Sequence, residues 1–136
     1  MILSGASLNF KNDVLKHFFC NMPVESPTNL YVGLFTSDTT GGIGEELTAG
    51  GYARQQVKFV LNNAGGVKNT EDIEFPPATD DWGKVSYTAV FDTETEGEPL
   101  VIGKLLRERD ILQGDIFTFL AGDYQVKILD EEVHEG

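Results

Sequence analysis

The sequence predicts a mainly β protein, a single antiparallel β-sandwich with one amphipathic helix at its N-terminus. Apolar residues recur at helical spacing only near the start of the chain, between residues 7 and 20. From residue 28 to 130, short segments that alternate apolar and polar residues are separated by Gly, Pro, Asn and Asp. The 136 residues suit one domain spanning residues 1–136. A jelly-roll and an immunoglobulin-like sandwich fit the strand pattern equally well.

The N-terminal helix is predicted over residues 7–20, because its apolar side chains fall on one face of a 3.6-residue period. Ser7 or Asn9 can supply the N-cap, and Pro23 and Pro27 stop any continuation. The apolar face must pack either on its own domain or on a neighbouring subunit. Its candidate interface residues are Phe10, Val14, Phe18 and Phe19.

The first predicted strand begins at Leu30 and carries Val32 and Leu34 on the same face. A long loop is predicted after it, over residues 36–51, because this segment is rich in Gly and other turn-forming residues. Loops of this length are usually functional or mobile, so it is a second candidate contact region.

Further strands are predicted between turn signals along the rest of the chain. They cover residues 52–60, 67–75, 84–91, 100–106, 116–120 and 124–129. The segment 100–106 is the most continuously apolar, which favours a central position in its sheet. Residues 131–136 form an acidic tail that we expect to be mobile or to contact a partner.

The formal net charge of −12 restricts the partners. Nucleic acids and anionic membranes require clustered Lys and Arg, whereas the ten basic residues here are scattered. A basic protein surface is the better partner. The single cysteine excludes an intrachain disulfide, and we find neither a secretory signal nor a membrane-spanning run.

The residue types that carry catalysis are sparse, so we expect no enzyme activity, cofactor or metal centre. His17 and Cys20 lie one helical turn apart, but a nucleophilic cysteine also needs an orienting group and a cleft. We interpret them as a buried or interfacial structural pair. Zinc needs four clustered ligands, and the chain has three Cys and His residues in all. Asp80 and Asp81 have the chemistry to bind calcium, although a solvated acidic turn is the preferred interpretation.

Two further residues are candidates for an interface. Trp82 precedes a predicted strand, where a tryptophan is more often a packing anchor than an interface hot spot. Arg54 lies on a strand and is predicted to pair with an acidic group of its own domain or of a neighbouring subunit. For Arg54 the local pair is favoured.

An ordered set of short segments resembles a known family. In chain order these are Leu30-Tyr31-Val32-Gly33-Leu34-Phe35-Thr36, Gly50-Gly51-Tyr52-Ala53-Arg54-Gln55, Ile73-Glu74-Phe75-Pro76, Asp81-Trp82-Gly83-Lys84-Val85, Phe91-Asp92, Gly114-Asp115 and Ala121-Gly122-Asp123. The set resembles a family of small structural proteins of tailed bacteriophages, commonly labelled phage tail fibre or virion structural proteins. Two charged stretches, residues 94–98 and 106–112, depart from the family pattern and are expected in loops or at strand edges.

The resemblance implies a structural subunit of the virion, made in the cytoplasm of the host bacterium, with no catalytic residues to transfer. A compact chain without heptads or repeats does not build a fibre shaft by itself. We therefore expect a module that attaches to a larger structure, and self-association fits that role. The leading expectation is a capsid decoration (cement) subunit bound to the major capsid protein lattice. The alternative is a module of the tail tip or tail fibre that binds the host surface, with Trp82, Tyr52 and Tyr87 exposed in a groove.

Overall fold

The computed structural model describes residues 2–3 and 5–127. The acidic tail predicted at residues 131–136 lies outside them. The described residues form one helix and twelve strands, which confirms the predicted mainly β fold with an N-terminal helix. The strands are β1 (Ile2–Leu3), β2 (Gly5–Ala6), β3 (Leu30–Ser37), β4 (Ile43–Glu46), β5 (Gln55–Val57), β6 (Phe59–Leu61), β7 (Gly66–Asn69), β8 (Ile73–Glu74), β9 (Gly83–Phe91), β10 (Val101–Ile111), β11 (Thr118–Phe119) and β12 (Gln125–Lys127).

The helix α1 spans Leu8–Phe19 and begins where the sequence predicts. Ser7 is the N-cap, because its hydroxyl accepts a hydrogen bond from the backbone N–H of Phe10 at 3.2 Å. At the other end, the backbone N–H of Cys20 donates to the carbonyl of Lys16, and Asn21 takes a left-handed backbone conformation. The left-handed residue ends the helix before Pro23 is reached.

Two larger sheets enclose the core as in a β-sandwich. The six-stranded sheet runs β2-β10-β9-β3-β4, with β5 also paired to β3. The four-stranded sheet runs β1-β12-β7-β6, and β11 pairs with β8 in a small third sheet. The described pairs are antiparallel, as predicted, except for the parallel pair of β1 with β12. One cluster of buried side chains joins the sheets, with Val32 and Leu34 on one side and Val126 on the other.

Strand β9 is the middle of the six-stranded sheet and is covered on both faces along most of its length, so that Ser86 and Thr88 are buried although they are polar. Thr88 is fully buried, and its hydroxyl donates to the carbonyl of Gly33 at 2.8 Å. The same hydroxyl lies 2.9 Å from the hydroxyl of Tyr124, which precedes β12 of the opposite sheet. Buried polar groups need such partners, and this pair therefore joins the two sheets across the core.

The structure corrects several predicted element boundaries. The segment 36–51 is not a single loop, because β4 folds back onto β3 as an edge strand. Its tip is a turn in which the Asp38 carboxylate accepts hydrogen bonds from the backbone N–H groups of Thr40 and Gly42. The predicted strands 52–60 and 67–75 are each divided in two. The breaks fall at Lys58 and at residues 70–72, where the regular strand pairing stops although the sequence alternation continues.

Strand β10 is longer than predicted and contains the charged stretch that was expected at a strand edge or in a loop. Its pairing with β9 jumps from Lys104–Tyr87 to Arg109–Val85, so a bulge of four residues faces a single residue of β9. A bulge turns side chains away from the regular alternation. Leu106, on the bulge, is consequently 85% exposed.

Within the residues that the structure describes, no helix has the length and apolar character needed to cross a membrane.

Candidate functional site

The N-terminal half of α1 is attached to the six-stranded sheet. The backbone N–H of Ser7 donates to the carbonyl of Leu100 at 2.8 Å. The side-chain amide of Asn9 donates to a carboxylate oxygen of Glu98 at 3.0 Å. Phe10 is partly buried and packs against the core cluster. These three contacts fix where the helix begins.

The C-terminal half of α1 points its aromatic residues into solvent. Phe18 is 74% exposed and Phe19 is 80% exposed, and Leu15 and Met22 beside them are each half exposed. All twelve residues of the helix are described, and none of them is fully buried. We call Phe18 and Phe19 the helix knob. An exposed aromatic pair of this kind is typical of a protein interaction site.

The sequence predicts that His17 and Cys20 form a buried or interfacial pair, and the structure corrects the buried alternative. Both residues are exposed, and His17 instead packs edge-on against the ring of Phe18, with 4.9 Å between ring centroids. His17 therefore belongs to the surface of the helix knob.

An apolar groove of about 440 Å³ opens beside Phe10, between α1 and the edge strand β6. Its lining includes Phe10, Leu30, Phe59, Leu61, Val67, Val90, Leu100, Val101 and Val126. Leu61, on the outer wall, is largely exposed. We call the helix knob and the apolar groove together the attachment surface. A patch of this composition is a candidate binding site.

Charge is distributed unevenly around the attachment surface. Lys16 and His17 lie in the last turn of α1, whereas the exposed loop of residues 92–98, which leads to Leu100 in the groove, contains four carboxylates. The last turn of the helix is therefore the basic side of this surface and the loop is its acidic side. Opposite charges at the rim of an interface determine orientation and partner choice.

Arg54 has a local role, as favoured from the sequence. Its Nε and Nη2 donate to the two carboxylate oxygens of Glu46, each at 2.8 Å. Its Nη1 donates to the backbone carbonyls of Thr93 and Glu96 at 3.0 and 2.7 Å. The guanidinium lies over the ring of Phe91, 3.4 Å from its centroid. Because the side chain is buried by these groups, it holds the acidic loop on the sheet and offers no surface to a partner.

The Glu46 carboxylate is held ionised by this arrangement. Burial raises its pKa, but hydrogen bonds from Arg54 and Tyr52 outweigh burial, and the pKa lies below its ordinary value. The Tyr52 hydroxyl donates to Glu46 at 2.6 Å and accepts from the backbone N–H of Leu34 at 3.0 Å. Burial, together with the neighbouring carboxylate, raises the pKa of Tyr52. The hydroxyl therefore remains a donor and joins β3 to the segment between β4 and β5.

Trp82 packs inside the domain, with 5% of its surface exposed. Its Nε1 donates to the carbonyl of Gly50 at 2.8 Å, and its ring packs edge-on against Tyr52. The Tyr87 hydroxyl donates to the carbonyl of Gly41. Trp82 therefore acts as a packing anchor rather than an interface residue, and the predicted groove of exposed aromatics is not present at these three positions.

No group of three or more His, Cys, Asp or Glu side chains that could hold a metal ion occurs among residues 2–3 and 5–127.

A sequence profile of one protein family, described as "Podophage GP4 fiber I protein gp80", matches residues 5–127. The match covers most of the chain, including α1, every described strand except β1, and the attachment surface. The chain belongs to this family. The gp80 fibre family consists of phage structural proteins, so the protein is a virion structural protein, in agreement with the resemblance seen in the sequence. No curated protein matches the chain.

Sequence reasoning identified part of the attachment surface. It predicted the helix and named Phe10, Val14, Phe18 and Phe19, but it did not separate the partly buried Phe10 and Val14 from the exposed helix knob. It missed the apolar groove altogether. The groove combines residues from α1, both larger sheets and the loop before β10, and no local pattern marks such a combination.

Proposed function

We propose that the protein is a non-enzymatic structural module of a phage fibre that joins other virion proteins through the attachment surface. The observation that carries this proposal is the exposed helix knob in a chain of the gp80 fibre family. Two phenylalanines on one helical turn are unfavourable in water and favourable in a protein interface. A role in assembly accounts for their position on the surface.

The fibre is a better assignment than the capsid lattice, which was the leading expectation from the sequence. The matching family is named for a fibre protein, which supports the alternative that the sequence left open. Binding to a host surface through exposed Trp82, Tyr52 and Tyr87 is not part of the proposal, because these side chains are engaged within the domain. The module is proposed to connect proteins of the virion to one another.

The test is to count and locate the protein in purified virions. Quantitative mass spectrometry against the major capsid protein, together with antibody labelling in electron microscopy, should find few copies, all at the fibres. A copy number that is a simple fraction of the capsid lattice, with label over the capsid, would instead establish decoration. Absence from the particle would overturn both assignments.

A pair of matched variants tests the attachment surface in the same particles. Phage carrying Phe18→Asp should lack the protein, because a charge in an apolar interface is strongly unfavourable. Phage carrying Leu106→Asp should contain the protein in the normal amount, because Leu106 is even more exposed than Phe18 but lies on the bulge of β10. Normal incorporation of the Phe18→Asp protein would contradict the proposed attachment.

A further inference from the structure

The attachment surface contains both halves of an interface. The helix knob protrudes, and the apolar groove is a recess of about 440 Å³. Both involve α1: Phe10 forms a wall of the groove, and Phe18 lies eight residues further, about 12 Å along the helix axis. A surface with a protrusion and a recess on the same element can be complementary to itself.

The charges beside the knob and beside the groove are opposite. Lys16 lies in the last turn of α1, two residues before Phe18. Glu98 lies at the other end of the helix, where Asn9 holds its carboxylate at 3.0 Å, and it is followed by Leu100 in the groove lining. The chain as a whole has a net charge of −12, so the basic end of the helix differs from most of its surface. The acidic rim of the groove offers this helix end a charge of the opposite sign.

We propose that the attachment surface binds a second copy of this chain, with the helix knob of each copy in the apolar groove of the other. The two α1 helices run antiparallel, which brings Lys16 of one copy to Glu98 of the second copy and repeats the contact by two-fold symmetry. Antiparallel helices also place their opposite partial charges side by side. This pairing names the partner of the proposed attachment surface and rests on that proposal.

Sedimentation velocity of the purified chain over a range of concentrations tests the pairing. The wild-type chain should form a dimer, and Phe18→Asp should weaken dimerisation about tenfold or more, as expected for an aromatic anchor. Leu106→Asp is the control and should dimerise normally, and circular dichroism should show both variants folded. A wild-type chain that stays monomeric at its highest soluble concentration overturns the proposal.

A charge reversal tests which residues meet. Lys16→Glu and Glu98→Lys should each weaken the dimer, and the double variant should regain most of the wild-type affinity, because the pair is restored with its signs exchanged. If Phe18→Asp dissociates the dimer but the double variant does not recover, the antiparallel arrangement is wrong.

The proposed dimer and the proposed fibre location are tested by different outcomes, so either can be wrong without the other. A monomeric chain that is still lost from Phe18→Asp virions would overturn the pairing and leave the attachment to another virion protein in place. A dimer in solution, together with absence of the chain from virions, would overturn the fibre assignment and leave the pairing in place.

Discussion

Gly33 lies directly under Glu46. A Cβ atom built on Gly33 would come within 2.8 Å of Glu46 Oε2, 3.0 Å of the Phe91 ring and 3.1 Å of the Tyr52 hydroxyl. The glycine is therefore required for space, since β3 must pass beneath the ion pair between Glu46 and Arg54. The ion pair between Glu46 and Arg54 and the backbone of Gly33, which has no side chain, therefore pack together as one unit.

Replacing Gly33 should disturb this unit. We expect Gly33→Ala to lower the free energy of unfolding by about 1–3 kcal/mol, as overpacking does in other cores. Gly42→Ala is the matched control, because its nearest new contact is the Asp38 carboxylate at 3.3 Å, at the tip of a hairpin and outside the core. Urea unfolding measures both. Equal effects of the two substitutions would show that the space under Glu46 is not limiting.

Removing the Arg54 guanidinium should lower the free energy of unfolding more than removing an exposed arginine does. Arg54→Ala leaves the carboxylate of Glu46 without its ion pair and the carbonyls of Thr93 and Glu96 without these hydrogen bonds. We expect a loss of about 3–5 kcal/mol in the free energy of unfolding. Arg54→Lys should keep only part of the stability that Arg54→Ala loses, because an ammonium cannot bind a carboxylate through two donors in the fixed geometry of a guanidinium. Arg107→Ala, on the exposed bulge, should change stability by less than about 0.5 kcal/mol.

The same ion pair predicts a pH dependence. The pKa of Glu46 is lower in the folded chain than its ordinary value of 4.5, so the folded state favours the carboxylate. The stability from this group is complete above pH 4.5 and is lost as the pH falls through the folded-state pKa. The difference in unfolding free energy between wild type and Glu46→Gln should therefore shrink as the pH falls below 4.5. A difference for Glu46→Gln that stays constant over this pH range would contradict the assignment.

The Tyr52 hydroxyl should contribute to stability through two hydrogen bonds. Tyr52→Phe removes the acceptor of the Leu34 N–H and one donor to Glu46. We expect a loss of about 1–3 kcal/mol, because a partly buried donor is left without a partner. Tyr31→Phe is the control, since its hydroxyl makes no hydrogen bond with the described residues. Thermal unfolding of both variants measures the difference, and equal shifts would indicate that the hydroxyl of Tyr52 is dispensable.

Phe10 and Phe18 should respond differently to the same substitution. Phe10→Asp places a charge against the core cluster and should destabilise the fold by several kcal/mol, whereas the largely exposed Phe18 should tolerate aspartate with a change below about 0.5 kcal/mol. Chemical unfolding of the two variants gives the comparison. A large loss for Phe18→Asp would show that the helix knob belongs to the domain's own core.

The local sequence determines the elements whose signals are contained within a few residues. The 3.6-residue period and the Ser7 cap predict α1 nearly to the residue, and the alternation around Val32 and Leu34 predicts β3 and its core face. The family resemblance also comes from the sequence, because an ordered set of segments is preserved along the chain. These predictions succeed because each element can be specified by its own side-chain pattern.

Tertiary structure decides everything that depends on distant residues. The alternation within β9 predicts one polar face, yet Thr88 is buried because Tyr124 reaches it from the opposite sheet. Arg54 is a structural residue only because loop 92–98 folds over it. The apolar groove exists only where α1, both larger sheets and the loop before β10 meet. Burial and contact are properties of the folded chain, so which apolar side chains become core and which remain available to a partner is settled only when the sheets pack.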